Sequence, residues 1–246
     1  LLENNIMTID EHIAEIIITT TKFLDFKYPQ YFQPELKTVT DKNEQLSQKF
    51  NSIEGIKNEL PDQFYEFRKT TENSEYICQL IQNDSIKEFI AHINKNEISL
   101  KSKIKQSIYE TNSFLLENQI SDEGIKLIDY VIFYGSIQIF NYFISNNIRP
   151  TNSSWLYIIH GQNAEIIHYL EDNNIKPFDK SYKECFLESI KCHHLDISNY
   201  LLNNIKSNIQ TQQIINLQGL KYYNFAQISI KNINKFFVYL CKYDYY

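Results

Sequence analysis

The sequence predicts an all-α protein: an α-solenoid of stacked helix pairs, preceded by a helical amino-terminal region. The 246 residues contain only five Gly and five Pro, with 43% hydrophobic residues. Few turn formers favour long helices with short connections, and this apolar content is enough to fill a sizeable core. A phrase also recurs 27 residues apart, as "NYFISNNIRP" at 141–150 and "HYLEDNNIKP" at 168–177.

Residues 1–75 are predicted to form the helical amino-terminal region. Thr8 and Glu11 have the spacing of a capping box, and the prolines of "YPQYFQP" at 28–34 end the helix that follows. Apolar residues at helical spacing are Ile13, Ile16, Ile17 and Leu24 in a first helix, Leu46, Phe50, Ile53 and Ile56 in a second, and Phe64 and Phe67 in a third.

Residues 76–246 are predicted to form the repeat domain. Each unit has an apolar helix end, a short polar turn and a second helix that closes on Asn; the stretches are 80–96, 131–147, 158–174 and 189–205. Asn147 and Asn174 are expected to end their helices in the left-handed conformation, which Asn tolerates. Pro150 and Pro177, three residues on, prevent the helices from resuming.

The spacing of the repeats predicts stacking. One buried position recurs at Phe89, Ile139, Ile166 and Ile197, with gaps of 50, 27 and 31 residues. A pair of short helices cannot bury both faces alone, so repetition at this period indicates layers that cover one another. The first gap exceeds one unit, so 97–124 is expected to supply an extra helix pair or a degenerate repeat. Its apolar residues at helical spacing are Ile104, Ile108, Leu115 and Leu116.

The units resemble ankyrin repeats. The matching residues are Gly135, Gln138 and Ile139 in one unit, Gly161, Glu165, Ile166 and Ile167 in the next, and His194, Asp196, Ile197, Leu201 and Leu202 in the last. Over about 76–225 the chain looks more closely like a domain of unknown function that precedes ankyrin repeats in an expanded family of parasitic-protist proteins. The Thr-Pro-Leu-His turn of the ankyrin consensus is absent, and Val131 and Ile158 replace its small Ala.

Three groups of residues have the chemistry of a site. Cys185, Cys192, His193 and His194 form the only cluster of metal-ligand types, but seven residues separate the two cysteines, about 10 Å along a helix. Packing cysteines and a turn histidine, His194, that bonds backbone are therefore the favoured interpretation. His160, Glu165 and His168 suggest acid–base chemistry, and Asp122–Glu123 and Glu171–Asp172 are carboxylate pairs, yet the repeat pattern accounts for them.

Aromatic residues are the stronger indication of a binding surface. Trp155, the only tryptophan, begins a first helix near the edge from which ankyrin-like loops contact partners. It is a candidate interface anchor, with packing in the turn as the favoured alternative. Tyr222–Tyr223 and Tyr245–Tyr246 are candidates for further exposed aromatic surface.

Charge, hydropathy and cysteine usage limit which partners and which cellular compartment are expected. A net charge of −6 argues against nucleic acid, and the basic stretch Lys101, Lys103 and Lys105 is expected to be a solvated face. No apolar run approaches the roughly 18 residues of a membrane span, and "LLENNIM" is not a secretory signal, although a leader outside this sequence stays open. Four scattered cysteines fit a reducing cytoplasm.

The sequence thus predicts a non-catalytic protein–protein interaction scaffold of degenerate ankyrin-like repeats, with no catalytic residues, metal or cofactor and a protein partner of unknown identity. Two alternatives remain. One is a structural amino-terminal cap for a longer ankyrin array; the other is a metal-dependent module around Cys185, Cys192 and His194.

Overall fold

The computed structural model describes residues 11–20, 32–52, 64, 67–68, 73, 75–105, 107, 109–110, 112–115, 124–203, 209–226 and 228. Over these residues the regular structure is helical and no strand forms; one isolated antiparallel bridge joins Lys103 and Lys126. The predicted all-α class is confirmed for this part of the chain. The molecule divides into two compact units, 1–79 with 104–125 and 80–103 with 126–246.

Among the described residues of the first unit, three helices pack on one another. They are α1 (Glu11–Thr20), α2 (Gln33–Thr40) and α3 (Glu44–Asn51). Their shared core consists of Ala14, Ile18, Leu36, Leu46 and Phe50. Pro34 lies in the first turn of α2, where no amide donor is needed, and Asn43 caps α3 by accepting from the Leu46 amide at 3.2 Å. Thr8, Leu24, Ile53 and Ile56 lie outside the described residues.

The remaining helices of the described residues are four pairs along the chain, followed by one further helix. They are α4 (Tyr76–Gln82), α5 (Ile86–Lys95), α6 (Leu127–Phe133), α7 (Ile137–Ser145), α8 (Ser154–Gly161), α9 (Ala164–Asp172), α10 (Lys183–Lys191), α11 (Leu195–Leu202) and α12 (Ile209–Lys221). The division between the two units falls within α4. No helix of the described residues is long and apolar enough to cross a membrane.

The second helices end as the Asn-Asn-Ile phrase predicts. Asn147 and Asn174 have φ of 59° and 54°. The amide of the following Ile148 donates to the Phe143 carbonyl at 3.0 Å, and Ile175 repeats this contact at the end of α9. This is the Schellman pattern, in which a left-handed residue turns the chain back and satisfies the last carbonyls.

The first helices end in the same way without a recurring residue type. Asp84, Gly135, His193 and Tyr223 all have φ between 48° and 64° and follow α4, α6, α10 and α12. Only one of these four is Gly, so three side chains accept a conformation that is unfavourable for most residues. Gln162, after α8, is also left-handed, with φ of 51°. Position in the repeat, not residue type, therefore sets this conformation.

Successive pairs pack first helix on first helix and second helix on second helix. In the second unit α6 contacts α8, α8 contacts α10 and α10 contacts α12, while α7 contacts both α5 and α9. The recurring apolar positions of the second helices are at most 7% exposed: Phe89, Ile139, Ile166 and Ile197. Neighbouring helices of the second unit thus pack on one another through buried apolar residues.

The turns of neighbouring pairs are also joined by hydrogen bonds. The Asp84 carboxylate accepts from the amides of Gln138 and Ile139, both at 3.0 Å, and so caps α7 from the preceding pair. Ser136 donates through Oγ to the Ile81 carbonyl at 2.5 Å. These bonds join the turn after α4 to the turn after α6.

The later turns repeat this arrangement with different side chains. Asn163 Nδ2 donates to the Gly135 carbonyl at 3.0 Å, while its Oδ1 caps α9. Asn224 Nδ2 donates to the Ile190 carbonyl at 2.9 Å. Side-chain amides thus satisfy backbone groups in the preceding turn, which fixes the register between pairs.

Two glycines allow the closest approach between pairs. A Cβ on Gly161 would lie 2.1 Å from the Ile132 carbonyl oxygen, and a Cβ on Gly135 would lie 2.6 Å from the Gly161 carbonyl oxygen. Gly135 additionally has φ of 64°. Backbone therefore packs on backbone where α6 and α8 end.

A buried carboxyl group links α6 to α8. Asp129 is 5% exposed and accepts from the Ser154 hydroxyl at 2.7 Å. Burial raises the pKa of Asp129, and the Ser154 hydrogen bond and the Lys126 charge offset only part of this effect.

The expected extra helix pair between 97 and 124 is not found in the described residues. Residues 97–105 contain no helix, and only 113–115 are helical. The Ile104 amide donates to the Ile125 carbonyl at 2.8 Å, so this backbone forms extended pairing in place of helical bonds. Ile104 and Leu115 are buried as expected; Ile108 and Leu116 lie outside the described residues.

Candidate functional site

Three side chains with metal-ligand chemistry meet between α8 and α10. His160 lies in the last turn of α8. Glu188 lies in α10, and Cys192 is the first residue after this helix, four residues after Glu188 and on the same face. His160 Nε2 lies 3.2 Å from Glu188 Oε1, and Cys192 Sγ lies 3.6 Å from the same oxygen. Cys192 Sγ is also 3.6 Å from His160 Nδ1 and 3.7 Å from Nε2.

Glu188 is the charged centre of this cluster. Burial alone would raise its pKa, but the hydrogen bond from His160 and the Lys191 charge outweigh burial and lower the pKa. Lys191 Nζ lies 3.4 Å from Glu188 Oε1. Burial and the Glu188 charge raise the pKa of Cys192 to about 12. At neutral pH the cluster therefore holds a carboxylate beside a protonated thiol.

Neighbouring rings shield the cluster from solvent. The His160 ring stacks on Phe133 with ring centroids 4.7 Å apart. The His194 ring is perpendicular to the His160 ring, with centroids 6.5 Å apart. The side chains of His160 and Glu188 are 9% and 15% exposed. Burial, followed by the neighbouring histidines, lowers the pKa of His194. The cluster is thus partly buried but in reach of solvent.

The structure does not assemble the predicted metal module around Cys185, Cys192 and His194. Within the described residues, the only group of three or more His, Cys, Asp or Glu able to share an ion is His160, Glu188 and Cys192. Cys185 is fully buried, which raises its pKa to about 12. The histidine that contacts backbone is His193, whose Nε2 lies 2.8 Å from the Tyr222 carbonyl, and not His194 as predicted.

The predicted acid–base and carboxylate groups do not form a shared site. Glu165 and His168 are exposed on α9, whereas His160 faces α10. Glu171 accepts a hydrogen bond from the Tyr200 hydroxyl and lies 3.7 Å from His168. Asp122–Glu123 lie outside the described residues.

Trp155 is a packing residue, as the favoured interpretation predicts, and not an exposed interface anchor. Its side chain is 1% exposed, and Nε1 donates to the Ile175 carbonyl at 2.6 Å. Its ring meets Tyr182 edge-on at 5.0 Å. The tryptophan therefore holds the loop before α10 against α8, which is the alternative that the sequence favoured.

That same loop carries the most exposed large apolar side chain among the described residues. Phe178 is 85% exposed. Asp179 fixes the backbone beside it, because its carboxylate accepts from the Ser181 hydroxyl and from the Lys183 amide at 2.5 and 3.1 Å. Burial acts to raise the pKa of Asp179, but these hydrogen bonds lower it overall. Phe178 is thus presented to solvent by an ordered loop.

The predicted aromatic surface at Tyr222–Tyr223 is exposed in part, because Tyr223 is 61% exposed whereas Tyr222 is half-buried. Phe225, which the sequence did not single out, is 54% exposed. Lys101, Lys103 and Lys105 are exposed, as expected of a solvated basic stretch. Tyr245–Tyr246 and Cys241 lie outside the described residues.

No protein-family model, curated protein or solved structure is significantly similar to this chain. The function is therefore inferred from the packing of the helix pairs and from the surface that they present.

Sequence reasoning missed Glu188 and Phe178. Glu188 lies four residues before Cys192, a spacing that places both side chains on one helix face. His160 is 32 residues before Cys192, a separation close to the length of one repeat. Both residues therefore fall at the ends of consecutive first helices, and this spacing could have indicated that their side chains meet. Phe178 follows the repeated Pro at a position where the preceding unit has Thr151.

Proposed function

We propose that this protein is a non-catalytic scaffold for protein–protein interaction, built from degenerate ankyrin-like repeats. The observation that carries the proposal is the serial packing of α6, α8, α10 and α12, with neighbouring turns joined by hydrogen bonds. Layers that contact only their neighbours form an extended, rigid surface suited to a partner protein.

The loop 175–182 is the best candidate for the contact surface. It follows the left-handed Asn174 and carries Phe178, which is 85% exposed on backbone held by Asp179 and Trp155. A rigid aromatic side chain loses little conformational entropy on binding, and aromatic anchors are frequent at interface hot spots. In ankyrin-like proteins this connection is at the edge that contacts partners.

The partner is proposed to be a protein and not a nucleic acid, because the net charge of −6 repels phosphate. The free thiols of Cys185 and Cys192 suit a reducing cytoplasm, where we place the protein.

The test is capture of partners from the source cell by the full chain, with Phe178→Ala as the variant and Tyr76→Ala as the control. Tyr76 is also an exposed aromatic residue, 52% exposed, but it belongs to the first unit, whereas Phe178 belongs to the second. A protein bound by wild type and by the control should then be purified and its affinity measured. Phe178→Ala is expected to weaken the affinity for this protein at least about tenfold, which is the effect of losing an interface hot spot.

The proposal is wrong if no protein is retained in stoichiometric amount, or if Phe178→Ala binds the retained protein as tightly as the Tyr76→Ala control does. Circular dichroism of both variants shows whether the helices are intact. Because Phe178 is almost fully exposed, its truncation should leave stability within about 0.5 kcal/mol of wild type.

A second candidate is a structural cap for a longer array. It is favoured by α12, which ends on Tyr223 in the left-handed conformation and joins the preceding turn through Asn224 like a further first helix. Further ankyrin units encoded directly downstream in the same reading frame would support this role, and their absence would remove it.

A further inference from the structure

We propose that His160, Glu188 and Cys192 bind one Zn²⁺ ion between α8 and α10. The proposal concerns a site that the repeat pattern does not require, and it stands whether or not the protein recognises a partner. It rests on three side chains of ligand type that two neighbouring helices bring together.

The distances between the ligand atoms fit a tetrahedral ion. With zinc bonds of about 2.05 Å to nitrogen, 2.1 Å to oxygen and 2.3 Å to sulfur, tetrahedral angles give edges of about 3.5, 3.6 and 3.4 Å for N–S, O–S and N–O. The distances among His160 Nε2, Glu188 Oε1 and Cys192 Sγ are 3.7, 3.6 and 3.2 Å. Each atom pair is already near the separation that a shared ion needs.

The donor set selects the metal class. Thiolate, imidazole and carboxylate together suit Zn²⁺, whereas Mg²⁺ and Ca²⁺ prefer all-oxygen sites. Zinc displaces the proton of a coordinating thiol, so the protonated Cys192 becomes a thiolate ligand as the ion binds. The bound pair of anions, Cys192 thiolate and Glu188 carboxylate, then balances the 2+ charge.

Two local adjustments accompany binding. Cys192 Sγ is nearly equidistant from the two His160 ring nitrogens, so the imidazole has to rotate to direct the Nε2 lone pair at the ion. The ring binds as the neutral tautomer with its proton on Nδ1, so the Nε2 proton that faces Glu188 is given up as zinc binds. The Lys191 ammonium, 3.4 Å from Glu188 Oε1, has to leave that oxygen. Replacing Lys191 by Gln should therefore tighten zinc binding several-fold, because a competing cation is removed.

The site would act as a cross-link between two helix pairs. His160 belongs to one first helix and Glu188 to the next, so an ion held by both opposes their separation. Solvent reaches the partly exposed side chains and supplies the fourth ligand. Zinc should consequently raise the unfolding temperature of the wild-type chain, because it binds only the folded form of the site.

The test is metal binding by the full, tag-free chain. Equilibrium dialysis gives zinc stoichiometry, and Co²⁺ substitution shows a thiolate-to-cobalt charge-transfer band and the intense visible bands of tetrahedral Co²⁺. Cys192→Ser and His160→Gln remove ligands. Cys185→Ala and His168→Gln change the same residue types outside the cluster, and circular dichroism shows whether each variant is folded.

We expect one zinc per wild-type chain and in both control variants. Cys192→Ser and His160→Gln should each weaken the affinity for zinc by more than the roughly 10- to 100-fold that loss of an outer-shell partner costs. Zinc should no longer raise the unfolding temperature of either variant. Should a ligand variant fail to fold, X-ray absorption of the wild-type zinc complex decides: one sulfur with nitrogen and oxygen ligands supports the site. Absence of stoichiometric zinc, its retention in Cys192→Ser, or a shell without sulfur overturns the proposal.

Discussion

Replacement of Trp155 by Phe should destabilise the second unit without removing a binding residue. The Trp155 side chain is 1% exposed, and its Nε1 donates to the Ile175 carbonyl at 2.6 Å. With Phe at this position the Ile175 carbonyl loses its donor, which costs about 1–3 kcal/mol of stability. The smaller ring also leaves a cavity, which costs about 1 kcal/mol more. The expected loss is about 2–4 kcal/mol, a large fraction of the roughly 5–15 kcal/mol that stabilises a typical domain.

The assay is urea unfolding followed by circular dichroism, where a loss of this size lowers the midpoint of the second unit by about 1 M. Phe178→Leu, which changes an 85% exposed ring, is the control and should shift the midpoint little. The wild-type fluorescence of this single tryptophan should also resist quenching by acrylamide. A Trp155→Phe midpoint equal to wild type, or a readily quenched tryptophan, would refute the assignment of Trp155 as a packing residue.

Three further predictions concern contacts between helix pairs. Gly161→Ala should cost at least about 1–3 kcal/mol by urea unfolding, because its Cβ meets the Ile132 carbonyl at 2.1 Å. Asp84→Ala should cost about 0.5–2 kcal/mol in the same assay by uncapping α7, and Asp84→Asn less. Asp129→Asn should stabilise the protein at pH 7 and lose this gain near pH 3, since Asn still accepts from Ser154 but never ionises. The sign follows from the raised pKa of Asp129: the folded protein holds its proton more tightly, so stability falls as pH rises through that pKa. A gain that grows towards acid pH would contradict it.

The sequence was sufficient for the features that repeat. Asn147 and Asn174 end their helices in the left-handed conformation as predicted, because Asn-Asn-Ile followed by Pro specifies this ending locally. The buried positions of the second helices were also predictable, since an apolar stripe at helical spacing depends on the helix alone.

Features that depend on contacts between pairs leave alternatives open when the sequence of one unit is read by itself. Trp155 is polar at one ring atom and apolar elsewhere, so it suits either an interface or a core. Its burial is decided by the carbonyl of Ile175 in the next connection. The same holds for Ile104, which was expected on a helix but whose amide pairs with the Ile125 carbonyl in extended backbone.

The turn side chains explain why so divergent a repeat keeps one arrangement. Asp84, Asn163 and Asn224 differ in sequence context, yet each reaches across to backbone groups of a neighbouring turn. An apolar interface alone would tolerate sliding of one pair on the next, because hydrophobic contact is non-directional. Directional hydrogen bonds to buried backbone groups prevent such sliding, because a shift of one pair would leave each donor or acceptor unpaired. Each unpaired group would cost about 1–3 kcal/mol. These bonds join α4 with α6, α6 with α8 and α10 with α12. Between α8 and α10, whose helices also pack on one another, the contact of His160 with Glu188 and Cys192 lies at the corresponding helix ends.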